Sequence, residues 1–308
     1  MPAIVVEDLH KSYGAVEAVR GVDFEVQTGE VFALLGPNGA GKTSVLEVLE
    51  GFRRRTRGRV EVLGADPATG DRRLRERVGV VLQETAVEPY LTVREVLTRN
   101  AGYYPRPRPV AEVISLAGLG EKADARVKTL SGGQQRRLDV ALGIVGDPEL
   151  VFLDEPTTGL DPRGRRVMWQ IIGDLVAGGT TIFLTTQYLE EADQLADRIV
   201  LLDHGRLVAE GTPDELKRLV PGGHVSLRFG DVQQLERGAR TLDGSRRDDE
   251  ALTLQVPSDG GVRSLRLLLD RLDRASIEVE NLSIHTPDLE DVFLALTGRP
   301  DKVEQTDR

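Results

Sequence analysis

The octapeptide Gly36-Pro37-Asn38-Gly39-Ala40-Gly41-Lys42-Thr43 constrains this chain more than any other stretch. It fits the pattern G-x-x-x-x-G-K-[ST] at every fixed position. An apolar run at 31–35 leads into it, and a helical pattern over 43–49 carries on through Ser44. Such a loop turns its backbone N–H groups around an anion, because glycine lacks the Cβ that would block the approach. The helix opening at Lys42 adds the positive end of its dipole. Lys42 is placed to reach β and γ phosphates, and the Thr43 hydroxyl to bind Mg2+. A strand–loop–helix unit of this kind calls for a sheet covered by helices.

The rest of the chain agrees. Runs at 78–82, 150–153, 181–185 and 199–202 are apolar with little polar alternation, as in parallel strands buried on both faces. A helical pattern fills 163–176. Segments 4–9, 19–26 and 60–63 read instead as an antiparallel layer, with turns at Tyr13-Gly14 and Thr28-Gly29. Thr212 and Glu215 form a capping box with Pro213 at the first helical position, so a helix starts there. It should end near Val220, before Pro221-Gly222-Gly223, which sets a domain boundary between 1–220 and 221–298. Beyond it, strands are expected at 225–229, 252–256 and 277–283. Helices are expected at 262–272 and 288–296, the second capped by Thr286 with Pro287 next. That makes a small C-terminal α+β domain, followed by a polar, flexible tail at 299–308. No long unit repeats, so one phosphate site per chain is expected.

Composition narrows the chemistry. The 308 residues include no Cys, which excludes disulfides, thiolate metal sites and a catalytic thiol. The His residues, at 10, 204, 224 and 285, do not lie at metal-ligand spacing. Net charge is −10, a poor balance for neutralising nucleic-acid phosphates. The basic run at 53–59 therefore reads as a solvated loop, and no nucleic-acid partner is expected. No stretch approaches the roughly 18 consecutive apolar residues of a membrane span. The opening residues alternate apolar and charged side chains and lack a signal-peptide core.

The run at 150–153 leads directly into Asp154-Glu155-Pro156. A buried strand ending in two acids sets them at the carboxyl edge of the sheet, where open α/β folds bind ligands. Asp154 suits Mg2+, and Glu155 suits polarising an attacking water. Alone, the pair reads as the start of a solvated loop; a phosphate loop on the same sheet favours the site.

Leu130-Ser131-Gly132-Gly133-Gln134-Gln135-Arg136-Arg137 is a second anion-facing element. Ser131 is an N-cap with Gln134 three residues on, and two glycines leave the helix tip bare. This octapeptide resembles the signature motif of ATP-binding cassette (ABC) ATPases, and it lies between the phosphate loop and the Asp-Glu strand as in that family. The resemblance covers residues 3 to about 220. It implies an α/β fold, the P-loop NTPase ABC cassette. That fold has a mixed, mainly parallel sheet with helices, an antiparallel β layer and a helical subdomain at about 84–145. ATP and Mg2+ are the implied cofactors. A head-to-tail homodimer is also implied, in which Ser131, Gly132, Gly133 and Gln134 of one chain serve the γ-phosphate held by the other. Tyr13 resembles the aromatic that stacks on adenine. Gln83 resembles the glutamine that contacts Mg2+ and water and hinges the helical subdomain. Thr158-Gly159-Leu160-Asp161 resembles the loop coupling the two sites, with Asp161 among its contacts. The segment 84–94, with its capping box Thr92-x-x-Glu95, resembles the lining of a groove that receives a cytoplasmic helix of a membrane permease.

One position departs from the family. The His usual after the strand at 181–185 is replaced by Gln187. An amide can donate to a phosphate oxygen but carries no charge, so slow hydrolysis is expected, with Glu155, Lys42 and Gln187 as the catalytic set. Segments 187–193 and 288–298 resemble ATP-binding subunits of daunorubicin-resistance-type exporters. That implies a separate multispanning permease, a peripheral location on the cytoplasmic face of the cell membrane, and ATP-driven export of drugs or other hydrophobic compounds or lipids. The alternatives are a soluble ABC-type ATPase acting on DNA or ribosomes, or a slow nucleotide-dependent regulatory module. The first usually carries two cassettes or a long coiled-coil insertion, neither of which occurs here. Intact Lys42, Asp154 and Glu155 argue against the second, while Gln187 keeps it open.

Overall fold

A computed structural model describes residues 2–82, 87–220, 223–258 and 261–297. The chain divides into two compact units, Met1–Pro213 and Asp214–Arg308. The divide falls seven residues before the boundary read from Pro221-Gly222-Gly223, because the helix over Pro213–Lys217 groups, from Asp214 on, with the second unit.

In chain order the first unit runs β1 (Pro2–Tyr13), β2 (Val16–Gln27), β3 (Val31–Leu35), α1 (Lys42–Leu49), β4 (Arg57–Val62), α2 (Arg72–Arg77) and β5 (Val78–Val81). Three helices follow: α3 (Val93–Ala101), α4 (Val110–Leu116) and α5 (Gly132–Ile144). The unit closes with β6 (Leu150–Asp154), α6 (Pro162–Ala177), β7 (Thr181–Thr186), α7 (Leu189–Leu195), β8 (Arg198–Asp203) and β9 (Arg206–Gly211). Six strands form one sheet in the order β5-β6-β7-β3-β8-β9, parallel except for β9, which pairs antiparallel with β8. A separate antiparallel layer has the order β2-β1-β4.

Every residue of β3, β6 and β7 is buried, as their unbroken apolar runs require. Side chains alternate between two cores. Phe152 and Phe183 join Phe24 and Phe32 in an aromatic cluster, with Phe32 and Phe183 stacked at 5.5 Å, under the antiparallel layer and α1. Val151, Leu153, Ile182 and Leu184 face the other way, into a core built with Val96, Leu97, Ile114, Leu138 and Ile172. The capping box at Thr92 forms, with reciprocal bonds to Glu95. Four of the five arginines of the basic run engage neighbouring acids: Arg53 with Glu47, Arg55 with Asp66, Arg57 with Asp8, and Arg59 with Glu7 and Glu61.

After α8 (Pro213–Lys217), the second unit runs β10 (His224–Arg228), α9 (Val232–Thr241), β11 (Arg246–Asp248), β12 (Thr253–Pro257), α10 (Val262–Arg274), β13 (Asn281–His285) and α11 (Leu289–Thr297). Its antiparallel sheet has the order β11-β12-β10-β13. Helices α9 and α10 supply Leu235, Leu268 and Leu272 to a core with Val225, Leu227 and Leu254. Three details differ from the sequence reading. The strand expected at 277–283 begins at Asn281, because residues up to Ile277 complete α10: the Ile277 N–H donates to the Leu272 carbonyl at 3.0 Å. Helix α9 and strand β11 were not read from the sequence at all. The cap of α11 is Asp288, whose carboxylate accepts from the Glu290 and Asp291 N–H groups at 2.9 and 3.0 Å, in place of Thr286.

Candidate active site

The sheet order brings the carboxyl ends of β6, β7 and β3 side by side. Asp154 pairs in register with Thr185, and Thr185 with Leu34. The phosphate loop leaves β3, Asp154-Glu155 leaves β6, and Gln187 follows β7, so three segments distant in sequence meet at one edge.

The loop requires its glycines. A Cβ at Gly36 would lie 2.3 Å from the Leu202 carbonyl. Gly41 has φ +110°, and a Cβ there would lie 2.5 Å from the Ala18 carbonyl on β2. Gly41 is also the N-cap of α1, and no side chain caps that end, so its first N–H groups are left for an anion. A cavity of about 480 Å3 opens here, lined by Ala18, Pro37, Asn38, Gly39, Gly41, Lys42, Thr43, Ser44, Glu155, Thr158 and Gln187.

Lys42 is 5% exposed. Its Nζ donates to the Gly36 carbonyl at 2.7 Å and the Pro37 carbonyl at 3.3 Å, and lies 3.8 Å from Glu155 Oε1. Burial pulls its pKa down, and the charges of Glu155 and Asp154 oppose that shift. Asp154 Oδ1 accepts from the Thr185 hydroxyl at 2.5 Å. The Glu155 backbone sits at φ +44°, a left-handed conformation unusual for a non-glycine residue. Its N–H donates to the Thr185 carbonyl at 3.1 Å, and Thr158 Oγ1 donates to its Oε2 at 3.1 Å. One carboxylate oxygen is thereby held and the other faces Lys42.

Tyr13 stands beside the loop, 40% exposed, with its hydroxyl 3.4 Å from both Ser44 Oγ and Glu47 Oε2. Lys11 Nζ sits 4.6 Å above its ring. Ser131 caps α5 in a reciprocal box: its N–H donates to Gln134 Oε1 at 2.9 Å, and the Gln134 N–H to Ser131 Oγ at 3.3 Å. Ser131, Gly132, Gly133 and Gln134 do not line the cavity of their own chain. Nor does Asp161, whose carboxylate caps α6 by accepting from the Gly164 N–H at 2.7 Å. Gln83 lies outside the described residues.

Among the described residues no cluster of three or more His, Cys, Asp or Glu could hold a metal by itself. The oxygen donors at hand, the Thr43 hydroxyl and the Asp154 carboxylate, fit a small hard cation such as Mg2+ that completes its shell with water and phosphate. Sequence reading missed Thr185, Ala18 and the buried Arg136. Thr185 sat inside an apolar run, and only strand pairing reveals that its hydroxyl meets Asp154.

The ABC transporter family matches residues 19–158, from β2 to the loop after Glu155. The daunorubicin/doxorubicin resistance ATP-binding protein DrrA of Streptomyces peucetius is 43% identical, over 97% of this chain and 93% of its own. The chain belongs to the ABC transporter ATP-binding proteins. This ABC ATPase is also 40% identical to the Nod factor export ATP-binding protein I of Rhizobium sp. (strain N33), over 96% of this chain and 97% of the relative. Its fold matches a solved ATP-binding subunit of an ABC transporter with a TM-score of 0.64 and 27% identity, over 70% of this chain and 92% of the other. The α/β cassette, with its mainly parallel sheet and antiparallel layer, is the fold expected from the phosphate loop and signature. Among the described residues, no helix of this ATPase is long and apolar enough to cross a membrane.

Proposed function

We propose that this ABC ATPase works as a head-to-tail dimer of two copies, each binding ATP with Mg2+. In this reading it drives export of a hydrophobic compound through a separate multispanning permease at the cytoplasmic face of the cell membrane. Tyr13, residues Gly36 to Thr43 and Ser44 bind the nucleotide. Lys42 exchanges the Gly36 and Pro37 carbonyls for β- and γ-phosphate oxygens. Thr43 and Asp154 would hold Mg2+, with Gln83 assigned to the same role from the sequence alone; the ion would supply neutralisation of phosphate charge. Glu155, with Oε2 held by Thr158, orients water through Oε1. Gln187 donates to a phosphate oxygen without adding charge.

The observation that carries the dimer is the room at the tip of α5. A Cβ at Gly132 would meet nothing within 4 Å, and one at Gly133 only Leu160 Cδ2 at 3.7 Å. Neither residue has a positive φ. Inside one chain neither position needs glycine. Smallness and bare N–H groups there serve something that arrives from outside, and the γ-phosphate on a second copy fits that chemistry. Relatives named for drug resistance and for Nod factor export support an exporter.

Gly133→Ala and Glu155→Gln test the reading together. Gly133→Ala keeps the melting temperature and ATP affinity of the wild type but loses turnover. Glu155→Gln binds ATP and elutes as a dimer in size-exclusion chromatography with ATP present. A Glu155→Gln protein that stays monomeric at saturating ATP, with Gly133→Ala turning over normally, refutes the sandwich.

A further inference from the structure

We propose that Arg136 is a positioning residue that joins the signature helix α5 to the two carboxylates as one mechanical unit. The inference rests on the reading of Asp154 as metal ligand and Glu155 as the water-orienting base.

Arg136 lies five residues after Ser131 on α5 and is 7% exposed. It does not line the nucleotide cavity. Among the described residues its guanidinium instead spans four backbone carbonyls. Nε donates to Pro156 at 3.0 Å, Nη2 to Asp154 at 2.7 Å and to Glu155 at 3.2 Å, and Nη1 to Leu82. Asp139, one turn along the same helix, sits 3.9 Å from Nη1. The acceptors have a common character. Asp154 ends β6 and Leu82 directly follows β5, so their carbonyls stand where the sheet stops supplying partners. Between them Glu155 holds its left-handed φ of +44°, with the carbonyls of Asp154, Glu155 and Pro156 all gripped by one side chain. A conformation that a non-glycine residue adopts reluctantly persists only when its surroundings over-determine it.

The chemistry calls for arginine. A planar fork with donors on three nitrogens can reach Leu82 on one side and Pro156 on the other. A lysine carries the same charge on a single nitrogen and cannot span them. The consequence is directional. Displacement of the α5 tip, where Ser131 and Gly133 await a phosphate, is carried over five residues to the backbone on both sides of Glu155. Docking of that tip and placement of the hydrolytic carboxylate then change together.

The test compares Arg136→Lys and Arg136→Gln with the wild type and Glu155→Gln, with each fold checked by circular dichroism and thermal melting. Expected for Arg136→Lys is a fall in kcat of about tenfold or more, an ATP Kd within twofold of wild type, and a several-fold rise in the Mg2+ concentration for half-maximal rate. Because Arg136 acts through Glu155, adding Arg136→Lys to Glu155→Gln should lower the residual rate little further. Wild-type kcat and Mg2+ dependence in a folded Arg136→Lys protein overturn the proposal, as do an equal fall of ATP affinity, kcat and melting temperature, or failure of both variants to fold. Wild-type turnover by Glu155→Gln instead sinks the underlying reading, so the two failures are distinct.

Discussion

Lys42 Nζ lies 3.8 Å from Glu155 Oε1 while donating to the Gly36 carbonyl at 2.7 Å, so the cation proposed to bind phosphate rests between its own loop and the acid proposed to orient water. The two residues should fail differently. Lys42→Met should weaken ATP binding by about tenfold or more, since a buried charge-assisted contact to phosphate is lost. Glu155→Gln should leave ATP binding near wild type and lower kcat by about 10²–10⁴-fold, the usual worth of a positioned base. Fluorescent-nucleotide titration and phosphate release measure each; equal loss of affinity in both variants would contradict the division of labour.

Thr185 should tune the proposed metal site without touching nucleotide. Its hydroxyl donates to Asp154 Oδ1 at 2.5 Å, while its carbonyl accepts from the Glu155 N–H at 3.1 Å. Thr185→Val keeps the shape and the carbonyl but removes the hydroxyl from a fully buried position. It should destabilise by about 1–3 kcal/mol, because a carboxylate loses a buried donor. It should also raise the Mg2+ requirement several-fold, with Thr185→Ser restoring both. Thermal melts and rates against Mg2+ concentration test this, and an unchanged Mg2+ curve for Thr185→Val counts against the role.

Much of the cassette was legible because its signals are local. Gly36 to Thr43, the Ser131–Gln134 cap and the strand running into Asp154 each declare themselves within eight residues. What escaped depends on pairing between distant segments. Thr185 meets Asp154 only because β7 lies beside β6, and Arg136 reaches Leu82 and Pro156 only once α5 packs across two strand ends. The second unit was less legible. Helix α9 offers few apolar residues, chiefly Leu235, with Val232 exposed. Ile277 and Val279 alternate like a strand, yet Ile277 closes α10 and fills the core beside Leu272.

Gln187 lines the cavity proposed to hold the triphosphate, and in that reading a cationic side chain there would add charge at the γ-phosphate. Gln187→His should therefore raise kcat, by about threefold or more for one charge-assisted hydrogen bond in place of a neutral one. It should also introduce a titration near the ordinary imidazole range, with activity falling as the ring loses its proton. Steady-state rates from pH 5.5 to 8.5 read both effects. A His variant that is slower than wild type, or that shows the same pH profile, would mean that charge at this position does not limit the reaction.

Glu50 makes stability depend on pH in an unusual direction. It caps the C-terminal end of α1 beside a cavity of about 440 Å3 lined also by Leu49, Phe52, Leu74 and Tyr104. Its Oε1 is buried with no hydrogen-bond partner among the described residues. Burial, and then the negative charges of Asp154 and Glu47, push its pKa up to about 8 from the ordinary 4.5. Between those values the unfolded chain releases this proton while the folded chain keeps it. The folded state therefore binds more protons, and stability falls as pH rises through the window, levelling above about pH 8. The loss can reach about 1.4 kcal/mol for each pH unit. Glu50→Gln is neutral at every pH and escapes it. Its melting temperature should sit near wild type at pH 5 and exceed it increasingly towards pH 8, by about 2–4 °C for each kcal/mol. Paired thermal melts across that range decide the matter, and a constant difference between the two proteins would show that Glu50 is ionised in the folded chain throughout.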